Sequence, residues 1–528
     1  MTKPNIQIYD TTLRDGAQGE QINFSVEEKV RIAHRLDEMG FSYIEGGWPG
    51  SNPKDKRFFE LAKTMNFKHA RLTAFGCTTR PGTPPEDDPN IQSLLEAGTP
   101  TVTVFGKSWD LHVSEILRIP LEENLEMIHR TLKYLKQSGK EVIFDAEHFF
   151  YGYKANGTYV RQVIEAALAA DADMIVLCDT NGGTLPQEIT KILGEVSTLI
   201  PGERLGIHAH NDSGLGVANS LAAVLGGAVM VQGTINGLGE RCGNADLITL
   251  IANLQLKMGR ICLPDSSIGQ LTSLSHFVSD VANIPPLNTR PFVGRSAFTH
   301  KGGMHVNGIV KNAAAYEHIK PESVGNLQRV VVSDMAGKSA ISYKARELGM
   351  ETAISDDQLR NIVAKIKEME DEGYQFDSAE GSLSLLLKKM TGQFQEPFTL
   401  ESFQVITAKV QEEHSLSQAM IKISVGQEEE LAAAEGNGPV NALDHALRKA
   451  LVKFYPRISE MHLVDFKVRT LEGSEGTAAK VRVLLDSRDT EDFWSTVGVS
   501  TNVIEASWLA LVDSIQYKLS KDRDDPEA

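Results

Sequence analysis

Two histidines separated by one residue form the most chemically suggestive pattern in this chain. His208 and His210 lie in the segment Ile-His-Ala-His-Asn-Asp, at the end of an apolar run typical of a β-strand. Alternate residues of a strand point to the same side, so the two imidazoles can converge on one metal ion. Two hydrogen-bonded histidines without a metal are the alternative, and further ligands are needed to decide between the two interpretations.

Asp15, near the start of the chain, is a candidate third ligand. Together with the histidines it would form a two-histidine, one-carboxylate site that leaves coordination positions for substrate or water. Arg14 beside it has a guanidinium fork suited to a carboxylate or a developing oxyanion, or else to an ion pair at a barrel rim. Asn244 ends the glycine-rich segment 237–244 and could place an amide oxygen on the same ion.

These residues need a scaffold that brings distant parts of the chain together, and the apolar pattern predicts one. Short β-branched or apolar runs alternate with segments of helical spacing, which is typical of parallel strands joined by crossover helices. Eight strands are predicted, at residues 6–10, 43–46, 71–75, 101–105, 142–147, 174–179, 205–210 and 229–233. Eight such units in roughly 250 residues have the size of a (β/α)₈ TIM barrel, with a doubly wound open sheet as the alternative.

The positions of the polar residues favour the barrel. They lie at or just after the carboxyl ends of the predicted strands, where barrel enzymes place their active sites. A lone acid at such a position is more often a helix cap or part of an ion pair, but the set as a whole is harder to explain in that way. The set comprises Asp10, Arg14, Asp15, Glu45, Glu147, Asp179, Thr180, His208 and His210.

Composition limits the remaining possibilities. The chain has 528 residues, which is too long for one ordinary core, so we expect two or three domains. Its 53 Lys+Arg and 70 Asp+Glu give a net charge of 53 − 70 = −17, so we expect no binding to nucleic acid. The uncharged stretch 214–239 is interrupted by glycines and polar residues, so we expect no membrane span. The scattered cysteines fit a reducing compartment, and a cytoplasmic location is therefore expected.

Three segments carry a resemblance to a known family. Thr-Thr-Leu-Arg-Asp-Gly at 11–16, His-Ala-His-Asn-Asp at 208–212 and the glycine-rich segment 237–244 resemble the signatures of metal-dependent Claisen-condensing synthases and related lyases. Isopropylmalate, homocitrate and citramalate synthases form that group. Segments 45–55 and 300–306 are most similar to its long-chain citramalate-forming branch, and the similarity extends over nearly the whole chain.

The resemblance implies a divalent metal ion, and the sequence does not distinguish Mn, Mg, Zn or Co. The ligands it implies are Asp15, His208 and His210, with Asn244 as a candidate fourth. It also implies that pyruvate and acetyl-CoA are joined to (R)-citramalate, with release of CoA, in isoleucine biosynthesis. There are three alternatives. They are a 2-isopropylmalate synthase acting on 2-oxoisovalerate, a metal-dependent acyl-CoA lyase or aldolase, and a non-catalytic amino-acid sensor whose barrel has lost its activity.

Further roles follow from the same resemblance. Arg14 would stabilise charge on the keto oxygen of pyruvate, and Thr180 would hold its carboxylate. Glu147 and His305 are both candidates for the base that removes a methyl proton from acetyl-CoA, and Tyr316 resembles a tyrosine that completes the site. Phe75 and Phe105 end two strands and either exclude branched substrates or only fill the core.

We expect the catalytic barrel at 1–283, helical linker subdomains that contribute to the active site at 284–397, an α+β regulatory dimerisation domain at 398–520 and a frayed tail at 521–528. Strands predicted at 403–409, 419–425, 461–470 and 478–486 make the regulatory domain a duplicated strand-strand-helix unit, with helices opened by Gly438 and Gly498. The resemblance implies a homodimer with an amino-acid effector, which we expect to be isoleucine.

Overall fold

Eight parallel strands close into a barrel in chain order, and the last strand pairs with the first. The structure is a computed structural model that describes residues 5–350, 354–411, 414–471, 479–490 and 492–524. The barrel strands are β1 (Gln7–Asp10), β2 (Tyr43–Gly47), β3 (Arg71–Cys77), β4 (Thr101–Lys107), β5 (Glu141–Glu147), β6 (Met174–Asp179), β7 (Leu205–Ala209) and β8 (Met230–Gly233). The predicted TIM barrel is confirmed, and the open sheet is excluded because the ring has no free edge.

Helices cover the outside of this ring. They are α1 (Val26–Glu38), α2 (Pro53–Ala62), α3 (Pro89–Glu96), α4 (Leu121–Gln137), α5 (Phe149–Ala169), α6 (Pro186–Val196), α7 (Gly216–Leu225), α8 (Leu247–Ala252), α9 (Asp265–Ile268) and α10 (Leu271–Val281). α1 shows why they form: Ser25 and Glu28 make a capping box at its start, and Ile32 and Leu36 are buried on one face. α5 is kinked at Asn156.

The described chain divides into two compact units. The first is the barrel up to Phe298 together with Ile319–Leu327, and the second comprises Thr299–His318 and the chain from Gln328 onward. The second unit begins with β9 (Thr299–His300), α11 (Gly303–Lys311), β10 (Arg329–Val330), α12 (Lys338–Glu347), α13 (Asp356–Asp371) and α14 (Glu380–Met390). These mostly helical elements surround an apolar core of their own.

Two antiparallel three-stranded sheets, each followed by a helix, complete the second unit. The elements are β11 (Thr399–Gln411), β12 (His414–Val425), β13 (Glu428–Gly436), α15 (Pro439–Leu451), β14 (His462–Thr470), β15 (Val481–Arg488), β16 (Phe493–Ser500) and α16 (Val503–Asp524). The predicted duplication is therefore present, with a third strand in each half. Residue 478, where one strand was predicted to begin, lies outside the described residues. Nowhere in the described ranges is there a helix long and apolar enough to cross a membrane.

The two glycines predicted to open helices have different positions. Gly438 is the N-cap of α15, as expected. Gly498 lies inside β16, so the prediction that it opens the second helix is wrong. A Cβ at this position would approach the Ala506 carbonyl oxygen to 2.0 Å, so the glycine allows α16 to pack closely against the strand. α16 continues to Asp524, well into the predicted tail, and residues 525–528 lie outside the described ranges.

Candidate active site

One pocket at the carboxyl ends of the barrel strands contains most of the predicted functional residues. It has a volume of about 230 Å³. The predicted residues in its lining are Arg14, Asp15, Phe75, Phe105, Glu147, Thr180, His208 and His210. These residues come from loops and strand ends that are far apart in sequence, and the closure of the barrel brings them together.

Asp15, His208 and His210 form a cluster with the geometry of a metal site. Oδ2 of Asp15 lies 3.7 Å from Nε2 of His208 and 3.9 Å from Nε2 of His210, and the two Nε2 atoms are 3.4 Å apart. All three residues are buried, and one ligand atom from each lies within 4.8 Å of the others. A divalent cation with nitrogen and carboxylate ligands fits this donor set.

The charge states of two of these residues suit metal binding. Burial and the nearby His208 lower the pKa of His210 to about 4, so its imidazole is neutral and has a free lone pair at neutral pH. Burial opposes ionisation of Asp15, but Arg14 and the two histidines outweigh it and lower the pKa of this carboxyl to about 2. The aspartate is therefore an anionic ligand over the whole neutral range.

Asn244 lies beside the cluster because its backbone forms an antiparallel bridge with His210. Its side-chain Nδ2 donates to Oδ1 of Asp15 at 2.9 Å. Its Oδ1 is buried without a hydrogen-bond partner among the described residues, and so is Nδ1 of His210. A buried amide oxygen with no partner costs free energy, and a cation at this point would relieve that cost. The arrangement fits the predicted fourth ligand.

Arg14 is held at the edge of the cluster by two carboxylates. Its Nε donates to Oε1 of Glu45 at 2.5 Å and its Nη1 to Oδ2 of Asp15 at 2.9 Å. Its guanidinium carbon lies 3.7 Å from the centroid of the Phe75 ring. Burial disfavours the charge, but Glu45 and Asp15 raise the pKa of Arg14 overall, so the cation is permanent. Glu45 also accepts from Thr11, which limits its movement.

Glu147 and Thr180 lie at the carboxyl ends of β5 and β6, across the barrel from β1. Glu147 forms an ion pair with Lys107 through Oε2, and its Oε1 lies 3.9 Å from Nε2 of His148. Oγ1 of Thr180 accepts from the backbone N–H of His148 at 2.8 Å. The threonine hydroxyl hydrogen therefore stays available to a substrate oxygen.

His305 and Tyr316 belong to the second unit. His305 lies on α11, and Tyr316 follows a short 3₁₀ turn after that helix. The two rings are neighbours, with centroids 4.8 Å apart, and both residues are exposed. The structure therefore places the predicted residues His305 and Tyr316 next to each other.

Three aromatic rings form one wall of the pocket. Trp48, which follows β2, packs edge-on against Phe75 at 5.8 Å and Phe105 at 5.7 Å, and those two rings stack at 5.5 Å. The indole N–H of Trp48 donates to Oδ1 of Asn90 at 2.7 Å, and its backbone N–H donates to Asp55. The wall is rigid because one hydrogen bond holds the indole of Trp48 and another holds its backbone.

Two polar residues near the site, Asp145 and Gln232, were not predicted from the sequence. Asp145 and Gln232 are buried inside the barrel and hydrogen-bonded to each other, and burial followed by the charge of Glu45 raises the pKa of Asp145 to about 8. A polar residue inside an otherwise apolar strand run is the signal that could have identified them. Asp10 and Asp179, by contrast, accept from threonines in the following loops and stabilise turns.

Comparison with known proteins places these residues in context. The HMGL-like family model matches residues 5–278, a homocitrate synthase post-HMGL domain-like model matches 292–374, and the LeuA allosteric (dimerisation) domain model matches 377–519. The chain is 54% identical to an (R)-citramalate synthase from Aquifex aeolicus, over 98% of this chain and 99% of that protein. It is 53% identical to one from Geobacter sulfurreducens, over 98% of each. Identity to a probable 2-isopropylmalate synthase from Methanopyrus kandleri is 31%, over 98% of this chain and 99% of that protein.

Proposed function

The chain belongs to the HMGL-like family and, within it, to the (R)-citramalate synthases, and we propose that it condenses pyruvate with acetyl-CoA to form (R)-citramalate and CoA. The observation that carries this proposal is the cluster of Asp15, His208 and His210 beside the charged Arg14, in a pocket of the barrel. The sequence identities favour citramalate over isopropylmalate as the product.

We assign the metal site to Asp15, His208 and His210, with Asn244 as the fourth ligand. A divalent cation held there would polarise the keto group of pyruvate. Arg14, fixed by Glu45, donates to the keto oxygen where negative charge develops, and the Thr180 hydroxyl donates to the substrate carboxylate. Both donors are fixed by their own hydrogen bonds before substrate binds, so little reorganisation accompanies the reaction.

The base that removes a methyl proton from acetyl-CoA stays a prediction with two candidates. Glu147 lies in the pocket and forms an ion pair with Lys107. His305 lies next to Tyr316 in the second unit. The enolate carbon formed by either base attacks the keto carbon of pyruvate, and hydrolysis of the thioester then releases CoA.

The aromatic wall supports pyruvate as the substrate. Trp48, Phe75 and Phe105 limit the space beside Arg14, and a methyl group requires less of that space than an isopropyl group. We test the proposal with purified full-length protein, a divalent metal and acetyl-CoA, offering pyruvate, 2-oxobutyrate and 2-oxoisovalerate separately. Free thiol is followed by a colorimetric reagent, and the product is identified by chiral chromatography. A higher kcat/KM for 2-oxoisovalerate than for pyruvate would contradict the proposal.

We infer that the second unit makes the enzyme a regulated homodimer with isoleucine as its effector. The match to the LeuA allosteric (dimerisation) domain supports regulation and dimerisation. Gly438 leaves backbone N–H groups open at the start of α15, where an amino-acid carboxylate can be received. Light scattering measures the mass in solution, and isoleucine titration measures inhibition. We also infer a cytoplasmic location, because the four cysteines are free thiols, which suits a reducing compartment.

A further inference from the structure

A chain of buried hydrogen bonds runs from the metal cluster into the barrel. Nδ1 of His208 lies 2.8 Å from Oε1 of Gln232, and Nε2 of Gln232 donates to Oδ1 of Asp145 at 3.0 Å. The exposed fractions of the residues His208, Gln232 and Asp145 are 4%, 0% and 4%. They belong to β7, β8 and β5, so the glutamine joins a ligand-bearing strand to a strand that is not its neighbour.

The surroundings of Gln232 make its polarity unusual. The same part of the barrel interior contains Tyr9, Tyr43, Ile143, Met174, Val176 and Met230. An apolar side chain would fill this position without the cost of burying an amide, and Gln232 is absent from the residues that line the substrate pocket. Its hydrogen bonds therefore have a purpose other than direct contact with substrate.

The chemistry of the amide determines which tautomer of His208 is present. The amide nitrogen of Gln232 donates to Oδ1 of Asp145, which accepts this bond also when the carboxyl proton is on Oδ2, so the amide oxygen faces the imidazole. That oxygen can only accept a hydrogen bond, so Nδ1 of His208 must carry the proton. Nε2 then has its lone pair free, and it faces Oδ2 of Asp15 at 3.7 Å and Nε2 of His210 at 3.4 Å.

We propose that Gln232, oriented by Asp145, is a positioning residue that holds His208 in the Nδ1–H tautomer and aims its Nε2 at the divalent cation. The inference rests on the proposed metal site. His210 provides a contrast, because its Nδ1 has no hydrogen-bond partner among the residues the structure describes. Of the two histidines, His208 is thus the one whose ring is held before the ion arrives.

The test compares metal binding in three variants of the full-length protein. Gln232→Leu removes both hydrogen bonds at similar size. Gln232→Glu keeps an acceptor against Nδ1 of His208, and Asp145, protonated at neutral pH, can donate to it. Asn219→Leu is the matched control, because Asn219 on α7 is also a fully buried amide and donates to the Thr184 carbonyl at 2.7 Å.

Dissociation constants for Zn²⁺ and Co²⁺ are measured by competition with a chromogenic chelator, and the Co²⁺ absorption spectrum is recorded. We expect Gln232→Leu to weaken binding by roughly 10–100-fold and to alter the spectrum, because a ligating histidine loses its partner. Gln232→Glu and Asn219→Leu should bind like the wild type. Unchanged affinity and spectrum in Gln232→Leu would overturn the proposal, as would equal losses in Gln232→Leu and Asn219→Leu.

A measurement on the wild-type protein covers the case in which Gln232→Leu does not fold. With ¹⁵N-histidine labelling, the metal-free protein should show His208 with a protonated Nδ1 and an unprotonated Nε2, and a His208→Asn variant assigns the signals. The opposite tautomer would overturn the inference. Absence of metal binding in the wild type would instead contradict the proposed metal site. The ¹⁵N measurement would still show which tautomer of His208 is present, because it is made on the metal-free protein.

Discussion

Replacement of Trp48 by leucine should broaden the range of 2-oxo acids that the enzyme accepts. The indole closes one side of the pocket and contacts both Phe105 and Phe75, and the Phe75 ring lies against Arg14. Because Asn90 and Asp55 hold Trp48 at both ends, the ring cannot easily move aside for a larger substrate. Leucine removes most of the ring and leaves space in the aromatic wall of the pocket.

The size of the effect follows from the difference of one methylene between pyruvate and 2-oxobutyrate. A pocket that excludes one methylene discriminates by about 1–3 kcal/mol, or roughly 10–200-fold in kcat/KM. Trp48→Leu should lose most of that discrimination, and the ratio of kcat/KM for 2-oxobutyrate to that for pyruvate should rise by a factor in this range. Loss of the indole hydrogen bond should cost about 1 kcal/mol of stability.

The assay is initial-rate release of CoA thiol over a series of concentrations of each 2-oxo acid, at saturating acetyl-CoA and metal. Phe67→Leu is the control, since its ring packs beside His34 away from the wall. Its substrate ratio should stay at the wild-type value. If Trp48→Leu keeps its pyruvate turnover but its ratio moves by less than about threefold, well below the range expected for one methylene, the wall does not determine specificity.

The other predictions concern the metal site, the barrel and the regulatory domain. His208→Ala should lose both its bound metal, measured by elemental analysis, and its activity. His34 is exposed, and His34→Ala should keep both. Full turnover of His208→Ala after chelation and metal addition would contradict the assignment. Lys29→Met leaves the buried Asp55 carboxylate without its partner and should lower the free energy of unfolding by about 3–5 kcal/mol in urea titrations. Lys56→Met, which breaks only an exposed ion pair, should cost less than about 1 kcal/mol, and equal losses would refute the reasoning. Gly438→Asp should raise the isoleucine concentration needed for half inhibition, because its carboxylate repels that of the effector, and the uncharged Gly438→Ser should not; equal inhibition curves would place the effector elsewhere.

The barrel was predictable because each strand carries its own local signal. β6 was predicted with the same ends as in the structure, and β7 differed by a single residue. In a parallel barrel both faces of a strand are buried, which produces short apolar runs that stand out between amphipathic helices. The regulatory sheets were less predictable. β13 begins with three consecutive glutamates and continues with one leucine and three alanines, so its apolar signal is weak and the strand was missed.

The candidate site was predictable only as a set of residue types. The spacing of His208 and His210 indicated a metal pair, and Asp15 was matched to it by its position after β1. The residues that hold the site in shape were not accessible in this way. Glu45 fixes Arg14 across the ends of two strands, and its partners are identified only by distances.

The amino-acid sequence by itself determined the kind of chain this is: a parallel barrel followed by a duplicated α+β domain, with metal-binding residue types at strand ends. These features depend on local periodicity and on the residues present. Only the tertiary structure decided that Gln232 lies against His208, that Trp48 joins Phe75 and Phe105 in one wall, and that the amide oxygen of Asn244 has no hydrogen-bond partner among the described residues. Such contacts join side chains that are distant in sequence, and they exist only once the ring of strands has closed.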